Sequence, residues 1–166
     1  MTRVDVGWRP AGPADAAFVD ALVLADALVT LAGLSEPTRS QLAALQVTAR
    51  RSGYRAAWPD AEERIVTVGS TDVGRLLLDR TPGCVHVVDV RIDAAHRSGG
   101  VGTVVLAQLC AEADRAGDDL TLTVDPASPA MRLYERAGFV AMPGDPTSAS
   151  DIATMTRRSS THAHDR

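Results

Sequence analysis

The sequence predicts a mixed α/β fold: a mostly antiparallel central sheet of about seven strands with helices on both faces. Three observations predict it. Apolar residues recur at helical spacing between 13 and 58, alternate in twos between 63 and 92, and return to helical spacing after 101. Between 63 and 92 the β-runs are joined by turns too short to hold a helix, so they pair antiparallel. After 92 the order becomes strand–helix–strand, which requires a parallel crossover.

The elements follow in order. "RVDVGWRP" alternates and reads as a first strand. Pro13 opens a helix at its first position, with Phe18, Leu22, Ala25 and Val29 as its apolar stripe. Ser35 is the expected N-cap of a second helix, with Pro37 in its first turn and an end near Pro59, with a break at Gly53 allowed. "ERIVTVGS" and "VGRLLLDR" form a hairpin about "STD", and "TPG" turns into "CVHVVDVRID". That valine-dense run reads as a strand buried on both faces. "VGTVVLAQLCAEADRAG" is a helix with Val101, Val105 and Leu109 stacked four apart and Gly117 closing it. "LTLTV" is a strand, "SPAMRLYERAG" a short helix ending at Gly138, and "FVAM" and "DIATMTR" two closing strands.

The chain has 166 residues, enough for one domain with a sizeable core, expected over residues 1–157. Residues 158–166 are polar and aperiodic and read as a flexible tail. No apolar run reaches the ~20 residues that span a bilayer, and "MTRVDVGWRP" lacks a signal-peptide pattern. A cytoplasmic protein, monomer or homodimer, with no membrane partner is expected. The net charge of −4 argues against nucleic acid. No metal is expected: Cys84 and Cys110 are far apart and read as buried small residues, and the pair His162 and His164 lacks a third ligand. All basic side chains are arginine, so no lysine can form a Schiff base.

"DAAHRSGGVGTVVL" places Gly99, Gly100 and Gly102 where a helix begins. Glycine there costs the helix about 1 kcal/mol per position against alanine. The compensating gain is an anion trap. The first N–H groups of a helix lack intrahelical partners, the macrodipole is positive there, and glycine lets a bulky phosphate approach. Arg97 adds a cation at the mouth. A P-loop is excluded for want of lysine. A dinucleotide fingerprint fits poorly, because Val105 takes the third glycine's place and the loop follows three antiparallel strands. The pattern [Q/R]-x-x-G-x-[G/A] is met by Arg97, Gly100 and Gly102.

With this loop and with "AMRLYERAGF" at 130–139, which fits A-x-x-L-Y-x-x-x-G-F, the chain resembles the GNAT acetyltransferase superfamily, users of acyl-coenzyme A. The two motifs and the element order cover residues 63–157. Two features depart from the family's habit: Ala127 stands where asparagine is frequent, and Arg97-Ser98-Gly99-Gly100 stands where R-G-R-G is usual, which loses the second basic residue. The resemblance implies acetyl-CoA as cosubstrate. It implies contacts from Val90, Arg91 and Ile92 to the pantetheine arm, with the Val90 N–H polarising the carbonyl. It implies that Arg97, Ser98, Gly99, Gly100, Val101, Gly102 and Thr103 hold the pyrophosphate.

Tyr134, inside the second motif, is the candidate general acid. A phenol with an ordinary pKa of about 10 stays protonated where a thiol near 8.5 begins to ionise. The alternative is an aromatic packed with Leu133 and Ala130. Asp89 is a candidate base or the partner of an arginine. His86, placed by alternation on the opposite strand face, is a base or a hydrogen-bonded structural residue. His96 reads as solvated. For the acceptor the candidates are Gln46, Tyr54 and Trp58 on the second helix, and "MPGDP" between the last strands. Tyr54 and Trp58 are i, i+4 neighbours. The acidic balance favours an amine acceptor, small molecule or peptide, over an anionic one. The expected function is N-acyl transfer from acetyl-CoA, directly within a ternary complex; the alternative is an acyl-CoA-binding module without turnover.

Overall fold

The computed structural model describes residues 5–142 and 152–161. Its seven-stranded sheet has the order β1-β2-β3-β4-β5-β7-β6. The strands are β1 Val6–Pro10, β2 Glu62–Val68, β3 Thr71–Thr81, β4 Cys84–Ile92, β5 Asp119–Val124, β6 Val140–Ala141 and β7 Ala153–Arg157. The helices are α1 Ala16–Thr30, α2 Thr38–Ala57, α3 Val101–Ala116 and α4 Ala130–Arg136. The element order is the one the periodicities predict. All neighbouring strands pair antiparallel except β4 and β5, which are parallel across the α3 crossover.

Side-chain alternation on β3 assigns the two faces. Leu76 and Leu78 turn into the main core with Val105, Leu109, Leu120, Leu122, Phe139 and Met155. Each large apolar side chain buried there contributes about 1.5–3 kcal/mol. Arg75 and Leu77 face the other way and line the space beneath α1 and α2. The predicted α3 stripe is right: Val101, Val105 and Leu109 are all buried.

Several details differ from expectation. On α1 the buried positions are Leu22, Val23 and Ala27, and Val29 is 75% exposed. The stripe is turned because Val19 and Val23 face the space shared with α2 and the sheet. The N-cap of α2 is Pro37 rather than Ser35, so the helix begins at Thr38, and the Glu36 carboxylate accepts the Ser40 N–H at 3.3 Å. The helix passes Gly53 without a break. Strand β4 is not buried on both faces; Val85, Val87 and Ile92 are buried, while His86, Asp89 and Arg91 are only half-buried. Cys84 is likewise half-buried, and Cys110 is buried.

Gly74 allows β3 and β4 to meet closely near the end of β4. A Cβ at this position would overlap the Arg91 carbonyl oxygen. No helix among the described residues is long and apolar enough to cross a membrane.

The segment read as a flexible tail is tied down as far as Thr161. Ser159 is fully buried. Its N–H donates to Asp119 Oδ1 at 2.8 Å, and the Ser160 N–H donates to Asp114 Oδ1 at 2.9 Å. His162 and His164 lie outside the described residues. Asp114 also accepts two bonds from the Arg157 guanidinium, at 3.0 and 2.8 Å. That pairing first, and the Ser160 N–H with it, lowers the Asp114 pKa from 3.8 to about 2. A depressed carboxylate pKa gives stability that is complete above the unfolded value and lost as pH falls through the folded one. Thermal melts should therefore show Asp114→Asn less stable than wild type at neutral pH, with the gap closing between pH 4 and 2. A gap independent of pH would contradict this anchoring role.

Candidate active site

The site begins where two strands part. β4 and β5 pair from Cys84–Asp119 to Val87–Leu122 and no further. Beyond that point β4 continues along β3 to Ile92, and β5 continues along β7 to Val124. The parting coincides with a bulge: Leu78 pairs with Val87 and Leu77 with Asp89, so Val88 is the extra residue. One edge of residues 88–92 is thus unpaired within the sheet, and its N–H groups are open to a ligand, while the Ile92 carbonyl is taken by the Arg97 guanidinium.

The chain then enters the glycine loop. Asp93 Oδ1 accepts the Ala95 N–H at 2.9 Å and caps the short 3₁₀ turn Ala94–His96. Ser98 and Gly100 have φ of 66° and 80°, the left-handed region. Gly100 precedes α3, and no side chain caps the helix. The N–H groups of Val101, Gly102 and Thr103 therefore keep their donors. Nothing lies within 4 Å of a Cβ placed at Gly100, so the approach to these amides is open. At Gly102 such a Cβ would meet Leu133 of α4 at 3.8 Å. The two sequence motifs thus pack against each other.

Charged side chains tie this loop to the strand and helices behind it. Arg97, the cation expected at the mouth, is held in place there by two partners. Its Nη2 donates to Asp26 Oδ1 at 2.5 Å and its Nε to the Ile92 carbonyl at 2.7 Å. Asp26 Oδ2 accepts from Arg91 Nη1, also at 2.5 Å. Asp89 Oδ2 accepts from Arg91 Nε at 3.0 Å and Arg75 Nη1 at 3.2 Å. Of the two roles open to Asp89, arginine partner is the one observed. Arg75, 6% exposed, has its Nε 2.6 Å from Glu63 Oε1, without hydrogen-bond geometry. Asp26 and Arg75 escaped the sequence reading. A charged residue within "VGRLLLDR" was the available signal for Arg75, because a buried guanidinium needs a partner.

Tyr134 is half-buried, its ring edge-on to Phe139 with centroids 5.8 Å apart. Burial first, then the negative charge of Asp89, pushes its phenol pKa above 10. The side chain stays protonated throughout the neutral range.

His86 lies on the same face as Asp89, not opposite it, because the bulge shifts the alternation by one residue. Its ring stacks on Trp58 at 6.0 Å, and its Nδ1 is 3.0 Å from Thr121 Oγ1. Burial lowers its pKa, outweighing the opposite pull of Asp79. It is a neutral, hydrogen-bonded residue near pH 7.

The structure brings Gln46, Tyr54 and Trp58 together. They line a groove of about 560 Å³ on α2 with Ala49, Arg50 and Gly53. The Tyr54 and Trp58 rings are 5.9 Å apart, and the Arg75 guanidinium lies 5.3 Å from the Tyr54 ring centre. Of "MPGDP", only Met142 is among the described residues.

Comparison with known proteins agrees with this geometry. The PaiA N-acetyltransferase of Thermoplasma acidophilum, solved with coenzyme A, has a TM-score of 0.68 at 14% identity, covering 92% of this chain and 98% of that one. A chimera of the spermidine N-acetyltransferase SpeG from Vibrio cholerae and hSSAT gives 0.67 at 15% identity, covering 96% and 99%. YncA of Salmonella typhimurium, a proposed acetyltransferase solved with acetyl-CoA, gives 0.62 at 19% identity, covering 96% of each chain. At these identities the likeness establishes the fold. No curated protein sequence matches. Residues 35–139 match the model of the acetyltransferase (GNAT) family. That match spans more than half of the sequence and contains both the glycine loop and the tyrosine motif, and on it this chain belongs to the GNAT acetyltransferase family.

Proposed function

We propose that this protein transfers an acetyl group from acetyl-CoA to an amine, directly within a ternary complex. The observation that carries the reading is the parting of β4 from β5 beyond Val87, which leads straight into a helix start with no capping side chain. A thiol carrier with a diphosphate needs both: an unpaired strand edge for its amide-bearing arm, and free amides for its charge. The loop fits the diphosphate, because a Cβ at Gly100 would enter open space that the phosphates require.

Acetyl-CoA supplies an activated thioester. The residues of this chain do the rest. Val90, Arg91 and Ile92 present the strand edge, and the Val90 N–H is the donor assigned to the developing oxyanion. Arg97 through Thr103 hold the diphosphate, with Arg97 exchanging Asp26 for phosphate oxygen. Tyr134 donates its proton to the departing thiolate. Asp89 receives a task other than base: its Oδ2 is engaged by two guanidinium groups, and its charge adds to burial in keeping Tyr134 protonated. The amine arrives neutral and is held against Gln46, Tyr54 and Trp58; its nitrogen attacks the thioester carbonyl, the C–S bond breaks as the C–N bond forms, and the proton the nitrogen sheds passes to solvent, from which the Tyr134 phenolate recovers its own. Cys110 is buried and its thiol is pushed towards the protonated form, which supports direct transfer over a covalent enzyme intermediate.

The test is thermal shift with acetyl-CoA together with thiol release in the presence of amines. A raised Tm with amine-dependent thiol release is expected. A raised Tm without thiol release under any amine identifies a binding module, and no shift contradicts the reading.

A further inference from the structure

The acceptor wall carries more positive charge than the acidic chain predicts. The hollows along α2 decide which amine it fits. Beside the groove containing Gln46, Tyr54 and Trp58 lies a pocket of about 210 Å³ lined by Val23, Asp26, Ala27, Thr30, Gln46, Arg50 and Arg91. A third hollow of about 260 Å³ lies between α1, α2 and the sheet, with Arg75 in its wall. Arg50 lines all three.

The carboxylates of these walls are already engaged. Asp20 pairs with Arg51, Asp26 with Arg91 and Arg97, and Glu63 with Arg75. Behind Arg91, Asp89 pairs with Arg75 and Arg91. Arg50 has no carboxylate within 4.0 Å among the described residues. Asp79, which faces His86, lines none of the three hollows. The groove on α2 contains a guanidinium, a carboxamide and two aromatic rings, and no acid. A polyamine would bring cations to a wall with no free counter-charge. A carboxylate would find the planar fork of Arg50 and the Gln46 amide.

Building on the acyl-transfer reading, we infer that the acceptor is an amine that also bears a carboxylate, an amino-acid-like molecule, with Arg50 holding that carboxylate between Gln46 and Tyr54. The rings of Tyr54 and Trp58 then meet the acceptor's apolar part. The overall charge of −4 is no guide to this wall, where arginine is in excess.

The experiment measures thiol release from acetyl-CoA with α-, β- and γ-amino acids, the same molecules as carboxamides, and spermidine. Wild type should prefer a carboxylate to its carboxamide by roughly tenfold or more in kcat/KM, the worth of one charge-assisted contact. Arg50→Gln should erase most of that preference and Arg50→Lys should restore part of it, with melting curves confirming the fold of each. Faster turnover of carboxamides or spermidine overturns the inference, as does a preference that survives in Arg50→Gln. Acetyl-CoA binding without turnover of any carboxylated amine also overturns it. Failure of acetyl-CoA to bind at all overturns instead the acyl-transfer reading beneath it.

Discussion

Tyr134→Phe should lower kcat by roughly 10²–10⁴-fold, the usual contribution of a positioned general acid. Acetyl-CoA affinity should change by less than about twofold, because the proton moves only as the thiolate departs. The phenylalanine ring keeps the edge contact with Phe139 and fills the same volume. Stability should therefore change by less than about 1 kcal/mol. The pH profile separates an acid from a packing residue. Burial and Asp89 raise the phenol pKa, so the acid form persists at least to the ordinary tyrosine range. In the wild type kcat should fall as pH rises through that raised value, and in Tyr134→Phe this alkaline limb should vanish. An unchanged kcat, or equal losses in kcat and affinity, would overturn the assignment.

The second large effect concerns charge at the loop. Thr103 is exposed in the first turn of α3, which has no acidic residue. Thr103→Glu should leave stability unchanged or raise it by about 0.3–1 kcal/mol, because a carboxylate complements the helix dipole there. The same charge should weaken coenzyme A binding by roughly tenfold to a hundredfold through repulsion of the diphosphate, and added salt should shrink the loss. Thr103→Gln is the neutral control and should bind almost normally. This pair is cleaner than Gly100→Val, since φ of 80° would strain a β-branched residue whatever the ligand does. Unaltered affinity in Thr103→Glu would remove the diphosphate from this helix end.

What was legible in the sequence was what short-range rules govern. The α3 stripe of Val101, Val105 and Leu109 follows from helical period alone, and the hairpins of β2, β3 and β4 follow from their turns. The glycine loop showed itself because three glycines at a helix start need a reason. Features set by packing at a distance were not legible. Arg97 meets Asp26 across 71 residues of sequence, and nothing local records that pairing. The bulge at Val88 inserts one ordinary valine, so simple alternation put His86 and Asp89 on opposite faces when they share one. The α1 face was misread because alanine and leucine occur all round that helix, and only the packing shared with α2 and the sheet selects Val23 and Ala27. Net charge is silent on such local detail: it sums over a whole surface, while the α2 groove holds one arginine and no acid.

One measurement bears most directly on the site itself: titration of labelled protein with coenzyme A, following backbone amide resonances. The expected result is saturable shifts concentrated at Val88–Ile92 and at Gly99–Thr103, the two stretches with unspent amides. Shifts absent from both stretches, or centred elsewhere on the molecule, would contradict the open strand edge and bare helix start as the seat of acyl-CoA.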